Sequence, residues 1–360
     1  MTAGPLLKHS ALLVLGRALA GEALELDEPT WRALSEVVVE HHLAAALWIS
    51  LGPNDPPPSV REVLCAEYHR NLGSTILVRE QLREVVRALN SAGITPAPLK
   101  GALHLLEGTF SHPAERVVAD IDLLVAPPDF TTAKAALEAD GYGALRPRGF
   151  GQPHETQMVL DRRGAMIELH HELGEPGLNE VLSTSEYLAR SATVDLDGLR
   201  YRSPSASHVV LHNVLHAQVS DHNYAVFGLP LRQLHTLTAF VRRRGEEIDW
   251  DEVTQVMDAH HKLPVLAGYL DLAGTIFGLS EPIELPSSPW RRNVCILNAA
   301  FGGRVGDLVR NIDNAFGSDY LRARYGEEPR PRLWAKHAWT LWNERGTSTI
   351  AEAFSPTHWR

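Results

Sequence analysis

Cysteine is scarce: Cys65 and Cys295 are the two thiols in 360 residues. They lie far apart in apolar, helix-like contexts, which excludes a disulfide framework and any zinc site of usual spacing, and they read as buried thiols in a reducing cytoplasm. Long apolar runs are also missing. Residues 11–16 are apolar, but Arg17 follows at once and Glu22, Glu25 and Asp27 soon after. That run is too short to span a bilayer and reads as an amphipathic helix rather than an export signal. Nothing later is longer or more apolar, so the expectation is a cytoplasmic protein with no membrane partner. Excess positive charge is lacking as well. A formal net charge of −10 discourages non-specific binding to bulk nucleic acid and anionic lipid, leaving room only for a local basic groove. No internal repeat or low-complexity tract occurs.

What is present is an ordinary globular composition, 44% hydrophobic and 22% charged. The chain is long enough for one large or two moderate domains with a substantial core. Apolar residues recur at helical spacing through residues 6–51, with Asp27-Glu28-Pro29 as a helix start, and again from about residue 59 to Asn90. The pattern then changes. Ile94-Thr95-Pro96-Ala97-Pro98-Leu99 is extended, because proline and the residue before it disfavour helix. Strand-like runs follow at residues 119–125, 154–160 and 165–173, the last two joined as a hairpin, with a helix from Phe130 to Ala139 between them. From Pro204 onward the helical period returns. The expected architecture is α+β: a small mixed β-sheet core at residues 91–203, flanked by helical regions at 1–90 and 204–360.

The chain is organised around Ala119-Asp120-Ile121-Asp122-Leu123-Leu124-Val125. Side chains alternate along a strand, so Asp120 and Asp122 share one face while Ile121 and Leu123 enter a core. Two adjacent carboxylates repel each other. A divalent cation between them removes that cost, and hard oxygen ligands suit magnesium or manganese; otherwise they simply mark a solvent-facing strand start. Glu168, in Met166-Ile167-Glu168-Leu169-His170, supplies a third carboxylate with His170 on the same strand face. A carboxylate pair that holds metals, with a third that helps deprotonate an incoming hydroxyl, is the donor set of metal-assisted phosphoryl transfer.

These residues resemble an uncharacterised nucleotidyltransferase-like family of the DNA polymerase beta superfamily. The resemblance rests on Leu99-Lys100-Gly101, on Arg116 four residues before Asp120, on Asp120-x-Asp122, on Gly141-Tyr142 and on Glu168-Leu169-His170. Weaker echoes occur in residues 31–48, from His212 to His216 and at Ile248-Asp249-Trp250. The resemblance implies a nucleoside triphosphate as co-substrate, with Asp120, Asp122 and Glu168 as catalytic metal ligands and Mg2+ or Mn2+ as the ion. It further implies nucleotide binding by Lys100, Gly101 and Arg116. Lys100-Gly101 departs from the wider superfamily, which carries a Gly-Ser or Gly-Gly turn at this place.

Each residue also has a plainer reading. Lys100 can be a solvated charge after a strand, and Glu168 an exposed strand residue. Arg116 either pairs with an aspartate or reaches the triphosphate, since a guanidinium serves both. His104, one turn after Lys100, and His170 are candidates to support the site residues by hydrogen bonding rather than to act as bases. His208, His212 and His216 align on one helical face as a solvated or cleft-facing stripe, with zinc the remoter reading because no third ligand type follows. Arg242-Arg243-Arg244 fits the solvated end of a helix.

The expected activity is transfer of a nucleoside monophosphate to a hydroxyl or similar group of a small-molecule, peptide or protein acceptor, with release of pyrophosphate. A tRNA end stays open as an acceptor. The alternatives are a nucleotide-binding interaction protein that no longer transfers, and a γ-phosphoryl transferase.

Overall fold

The computed structural model describes residues 3–144, 157–160, 165–280, 283–286 and 288–306. The expected turn at residues 161–164 and the tryptophans Trp334, Trp339 and Trp342 lie outside the described residues. The first helices are α1 (Pro5–Leu19), α2 (Glu28–Glu40), α3 (Ala44–Ile49) and α4 (Pro58–Ser91). Asp27 starts α2 as the sequence suggests, its carboxylate accepting a hydrogen bond from the Thr30 N–H at 3.0 Å. Periodicity alone runs α2 and α3 together. His42 breaks them apart at φ +59°, and the Leu43 N–H closes back on the Val38 carbonyl at 2.7 Å.

Strands β1 (Ala97–Pro98), β2 (Asp120–Leu124), β3 (Gly143–Ala144), β4 (Gln157–Leu160) and β5 (Met166–His170) form one sheet in the order β1-β2-β5-β4-β3. β2 and β5 are parallel at its centre, and the other neighbours are antiparallel. Pro98 is tolerated because β1 is an edge strand. Helices α5 (Lys100–Leu106) and α6 (Phe130–Ala139) connect these strands. The parallel register sets Asp122 opposite Glu168 and Leu124 opposite His170.

The two sheet faces enter different cores. Ile121, Leu123, Ile167 and Leu169 pack with Val78, Leu82, Val85 and Val86 of α4 and with Ala133 and Leu137 of α6. Each such large aliphatic side chain, when fully buried, contributes about 1.5–3 kcal/mol. Leu124 faces the other way, into a core shared by α1, α2 and the helices that follow the sheet. Gln81 of α4 brackets the start of β5: its amide donates to the Ala165 carbonyl at 2.9 Å and accepts from the Ala165 N–H at 3.0 Å. A buried amide thus satisfies backbone groups beside the start of β5.

Beyond the sheet come α7 (Pro176–Asn179), α8 (Thr184–Ala189), strands β6 (Ser191–Leu196) and β7 (Leu199–Pro204), α9 (Ala206–Leu215), α10 (Asn223–Val226), α11 (Leu231–Arg244), α12 (Trp250–Ala259), α13 (Leu263–Phe277) and α14 (Pro289–Ala300). The β6–β7 hairpin is absent from the sequence-based expectation. Its signal was present in Asp197-Gly198, both at positive φ, the two-residue turn that matches strand twist. A turn of π-helix, His216–Ser220, continues α9. The N-terminal helix joins the C-terminal ones: Gly16 of α1 lies so close to α13 that an added Cβ would sit 1.8 Å from the Ile276 carbonyl oxygen. No helix among the described residues is long and apolar enough to cross a membrane.

Candidate active site

The carboxylate face of β2 and β5 looks toward α5, α9 and α11. Asp122 is 1% exposed, and Lys100 Nζ and His170 Nε2 both donate to its Oδ1, at 2.8 and 3.0 Å. Its Oδ2 is buried with no hydrogen-bond partner among the described residues. Glu168 Oε2 stands 3.6 Å from the same His170 nitrogen. Ligand atoms of Asp122, Glu168 and His170 all lie within 4.8 Å of one another, a group that could hold a metal ion. The donor chemistry fits a divalent cation. A buried carboxylate oxygen without a partner is costly, and a cation is the partner that removes the cost.

The two aspartates differ sharply in electrostatics. Asp120 is held above the usual carboxylate range by burial and by the charges of Asp122 and Glu168, against which Lys100 and Arg232 act. Burial would raise Asp122 too, but the hydrogen bond from His170 and the charge of Lys100 outweigh it and hold this carboxyl well below its ordinary value. For His170, burial works downward and is overcome by the hydrogen bonds to Asp122 and Glu168, so its pKa is raised. Lys100 follows the same balance: burial lowers it, and Asp122 more than restores it.

The backbone at Lys100-Gly101 is unusual. Lys100 is the first residue of α5 yet has φ +47°, a left-handed conformation that glycine adopts freely and a side chain pays for. The chain therefore keeps the backbone shape of a glycine position while placing an ammonium on Asp122. Gly101 is closely surrounded. A Cβ there would lie 2.6 Å from a terminal nitrogen of Arg116 and 3.0 Å from Val118.

Arg116 pairs with neither aspartate. Its Nε donates to the Thr236 hydroxyl of α11 at 3.0 Å and one terminal nitrogen to the Val117 carbonyl at 3.3 Å. Burial, and then the nearby charge of Arg232, push it down to about 10. His104 is buried, and its Nδ1 meets the Thr109 hydroxyl at 2.8 Å. The histidine stripe is not solvated: His208 and His212 are buried, and only His216 reaches a half-exposed position, 3.4 Å from Asp221. Arg244 is tied to Glu107 and Glu247 rather than free. Cys295 is buried as expected, whereas Cys65 is only half-buried.

One residue escaped sequence reasoning. Arg232, at the start of α11, lines the same cleft as Lys100 and Arg116, and its guanidinium forms no hydrogen bond or ion pair among the described residues. No local motif marks it, since it stands over a hundred positions from Asp122 and meets the site only through packing.

The sequence profile of the family described as "Uncharacterised nucleotidyltransferase" matches residues 27–278. Among solved structures, the chain is similar to the solution structure of the antibiotic-resistance factor ANT(2'')-Ia, at 11% identity and a TM-score of 0.34, over 53% of this chain and 92% of that one. It is also similar to an antigenic nucleotidyltransferase-like protein from Paracoccidioides brasiliensis, at 14% identity and a TM-score of 0.36, over 56% and 93%. No curated protein matches the chain.

Proposed function

Because the chain belongs to the uncharacterised nucleotidyltransferase family, we propose that it moves a nucleoside monophosphate from a nucleoside triphosphate to a hydroxyl group of a small-molecule, peptide or protein acceptor. The observation that carries this reading is the unpartnered, buried Oδ2 of Asp122, grouped with Glu168 and His170. Magnesium or manganese held by Asp122 and Glu168, which the fold groups with His170, and by Asp120 from the same strand face, would supply charge stabilisation at the reacting phosphate.

The chain's own residues account for the remaining work. Glu168 is half-exposed on the carboxylate face and takes the proton of the acceptor hydroxyl. The freed oxygen bonds to the α-phosphorus, the bond from that phosphorus to its β-bridging oxygen breaks, and pyrophosphate departs with the electron pair. Lys100 neutralises charge at the phosphates, and His170 fixes the orientation of Asp122 through the 3.0 Å hydrogen bond. The acidic balance of the chain favours a discrete acceptor over bulk nucleic acid.

A second reading is a nucleotide-binding protein that no longer transfers, which is favoured by the ion pair that already engages Asp122 through Lys100. Purified protein assayed with each common nucleoside triphosphate, with and without magnesium, separates the two. Magnesium-dependent binding with slow pyrophosphate release, lost in Asp120→Asn/Asp122→Asn, is the expected result. Binding without pyrophosphate supports the second reading, a nucleoside diphosphate product supports γ-phosphoryl transfer, and no binding at all removes the enzyme reading.

A further inference from the structure

The cleft between α5, α9 and α11 has an unusual lining. Lys100, Arg116 and Arg232 bring three cationic side chains to it, and Gln233 and Asn213 add amides. Among the described residues no aspartate or glutamate lines it. Collecting like charges in a half-enclosed space is unfavourable unless an anion joins them. Arg232 in particular has no ion-pair partner among the described residues, although the chain carries ten more acidic than basic residues.

Two further side chains in the lining point the same way. Among the described residues, the hydroxyl of Tyr187, 0% exposed, has no hydrogen-bond partner, and neither does Nε2 of His212, 4% exposed. Both can donate a hydrogen bond, and both lie in the cleft that holds the cations. Native structures rarely leave such groups unsatisfied, and those left so in a pocket mark where a ligand's acceptor atoms go. A ligand that suits guanidinium forks, an ammonium, a phenol and an imidazole at once presents many anionic oxygens at different heights, which is the chemistry of a polyphosphate.

We propose that this cleft is a polyphosphate subsite, in which Arg232 of α11, Tyr187 and His212 join Lys100 and Arg116 around the β- and γ-phosphates of the donor nucleotide. This rests on the nucleotidyl-transfer reading and adds to it that the helices beyond the sheet complete the donor site. Lys100 is the hinge between the halves, because it touches Asp122 on one side and lines the cleft on the other. The same anionic chemistry could come from a phosphorylated acceptor, so the test distinguishes the two sources.

The experiment is calorimetric binding of inorganic tripolyphosphate, without metal, to the full chain and to Arg232→Gln, Arg232→Lys and Tyr187→Phe, repeated with a nucleoside triphosphate and magnesium. Arg232 is half-exposed, so its variants test binding rather than folding. Tripolyphosphate should bind the wild type and compete with the nucleotide. Arg232→Gln should weaken both at least tenfold, with partial recovery in Arg232→Lys. Tyr187→Phe should weaken tripolyphosphate severalfold while its melting temperature holds or rises, since it removes a buried hydroxyl that has no partner among the described residues. If the nucleotide binds and the Arg232 and Tyr187 variants leave it unchanged, the subsite is overturned and the transfer reading stands. If tripolyphosphate and nucleotide bind simultaneously, the assignment to the donor is overturned in favour of the acceptor. If neither ligand binds the wild type, both readings fall.

Discussion

Lys100 and Asp122 are joined by a 2.8 Å ion pair that reaches from the first residue of a helix held at φ +47° to a carboxylate that is 1% exposed. The left-handed backbone and the buried charge oppose folding separately, and the pair offsets both. Strain of this kind persists where the surroundings over-determine it, most often at functional sites.

Replacing Lys100 by glycine should therefore separate backbone from charge. Lys100→Gly relieves a conformational cost of about 1–2 kcal/mol while losing the ion pair, whereas Lys100→Ala loses the pair and keeps the strain. Lys100→Gly is expected to be the more stable of the two in chemical denaturation. Both should lose nucleotide binding, because neither restores the ammonium. An alanine variant as stable as the glycine one would show that φ at this position is not strained.

The aspartates should respond in opposite directions to neutralisation. Asp120 is held above the ordinary carboxylate range by burial and its acidic neighbours, so Asp120→Asn should raise the melting temperature of the metal-free protein by about 1–3 °C. Asp122 is held below that range by His170 and Lys100, so Asp122→Asn should lower it, at a cost of about 1–3 kcal/mol, by leaving those two donors with a weaker partner. Both variants are expected to lose transfer. Thermal unfolding in a chelator compares them directly, and like shifts in the two would refute the asymmetry.

Magnesium or manganese should stabilise the wild type. A cation bound only by the folded chain raises stability with its concentration, so the melting temperature should climb in a titration and fall back with chelator. Glu168→Gln should blunt the rise by removing one of the grouped ligand atoms. A flat titration would count against the metal site.

Acid should destabilise the protein through His104. Burial, and then the charge of Arg116, lower its pKa from 6.5 to about 3, so the imidazole stays neutral in the folded chain while the unfolded chain takes up a proton below pH 6.5. Stability is thus whole above pH 6.5 and falls as pH drops toward 3, by about 3 kcal/mol at pH 4 from this group. His104→Asn should flatten the pH dependence of urea unfolding in that window. An unchanged slope would place the titration elsewhere.

Packing between the ends of the chain predicts one large effect. Gly16→Ala drives a Cβ into the backbone of α13, where the carbonyl of Ile276 cannot move aside as a side chain would. A loss of about 2–4 kcal/mol is expected in denaturant titration. Gly73→Ala in α4, with open space at the added Cβ, serves as the control and should be neutral or slightly stabilising.

Local features were legible in the order of residues. Period-two alternation put Asp120 and Asp122 on one face and Ile121 and Leu123 in a core, and the period of 3.6 marked α4, α6, α12 and α13 closely. Capping at Asp27 and the extended Pro96-Ala97-Pro98 segment were equally legible, because their causes lie within a few residues. Tertiary structure decided what depends on distant partners. Alternation gives a face but not a neighbour, so only the parallel pairing of β2 with β5 set Glu168 against Asp122. Only packing of α11 could bring Arg232 to Lys100, and only the placement of His170 and Lys100 on Asp122 could hold that carboxyl below its ordinary value while burial and acidic neighbours hold Asp120 above it. Charge, desolvation and close contact act through space, and the chain order does not record which residues space will bring together.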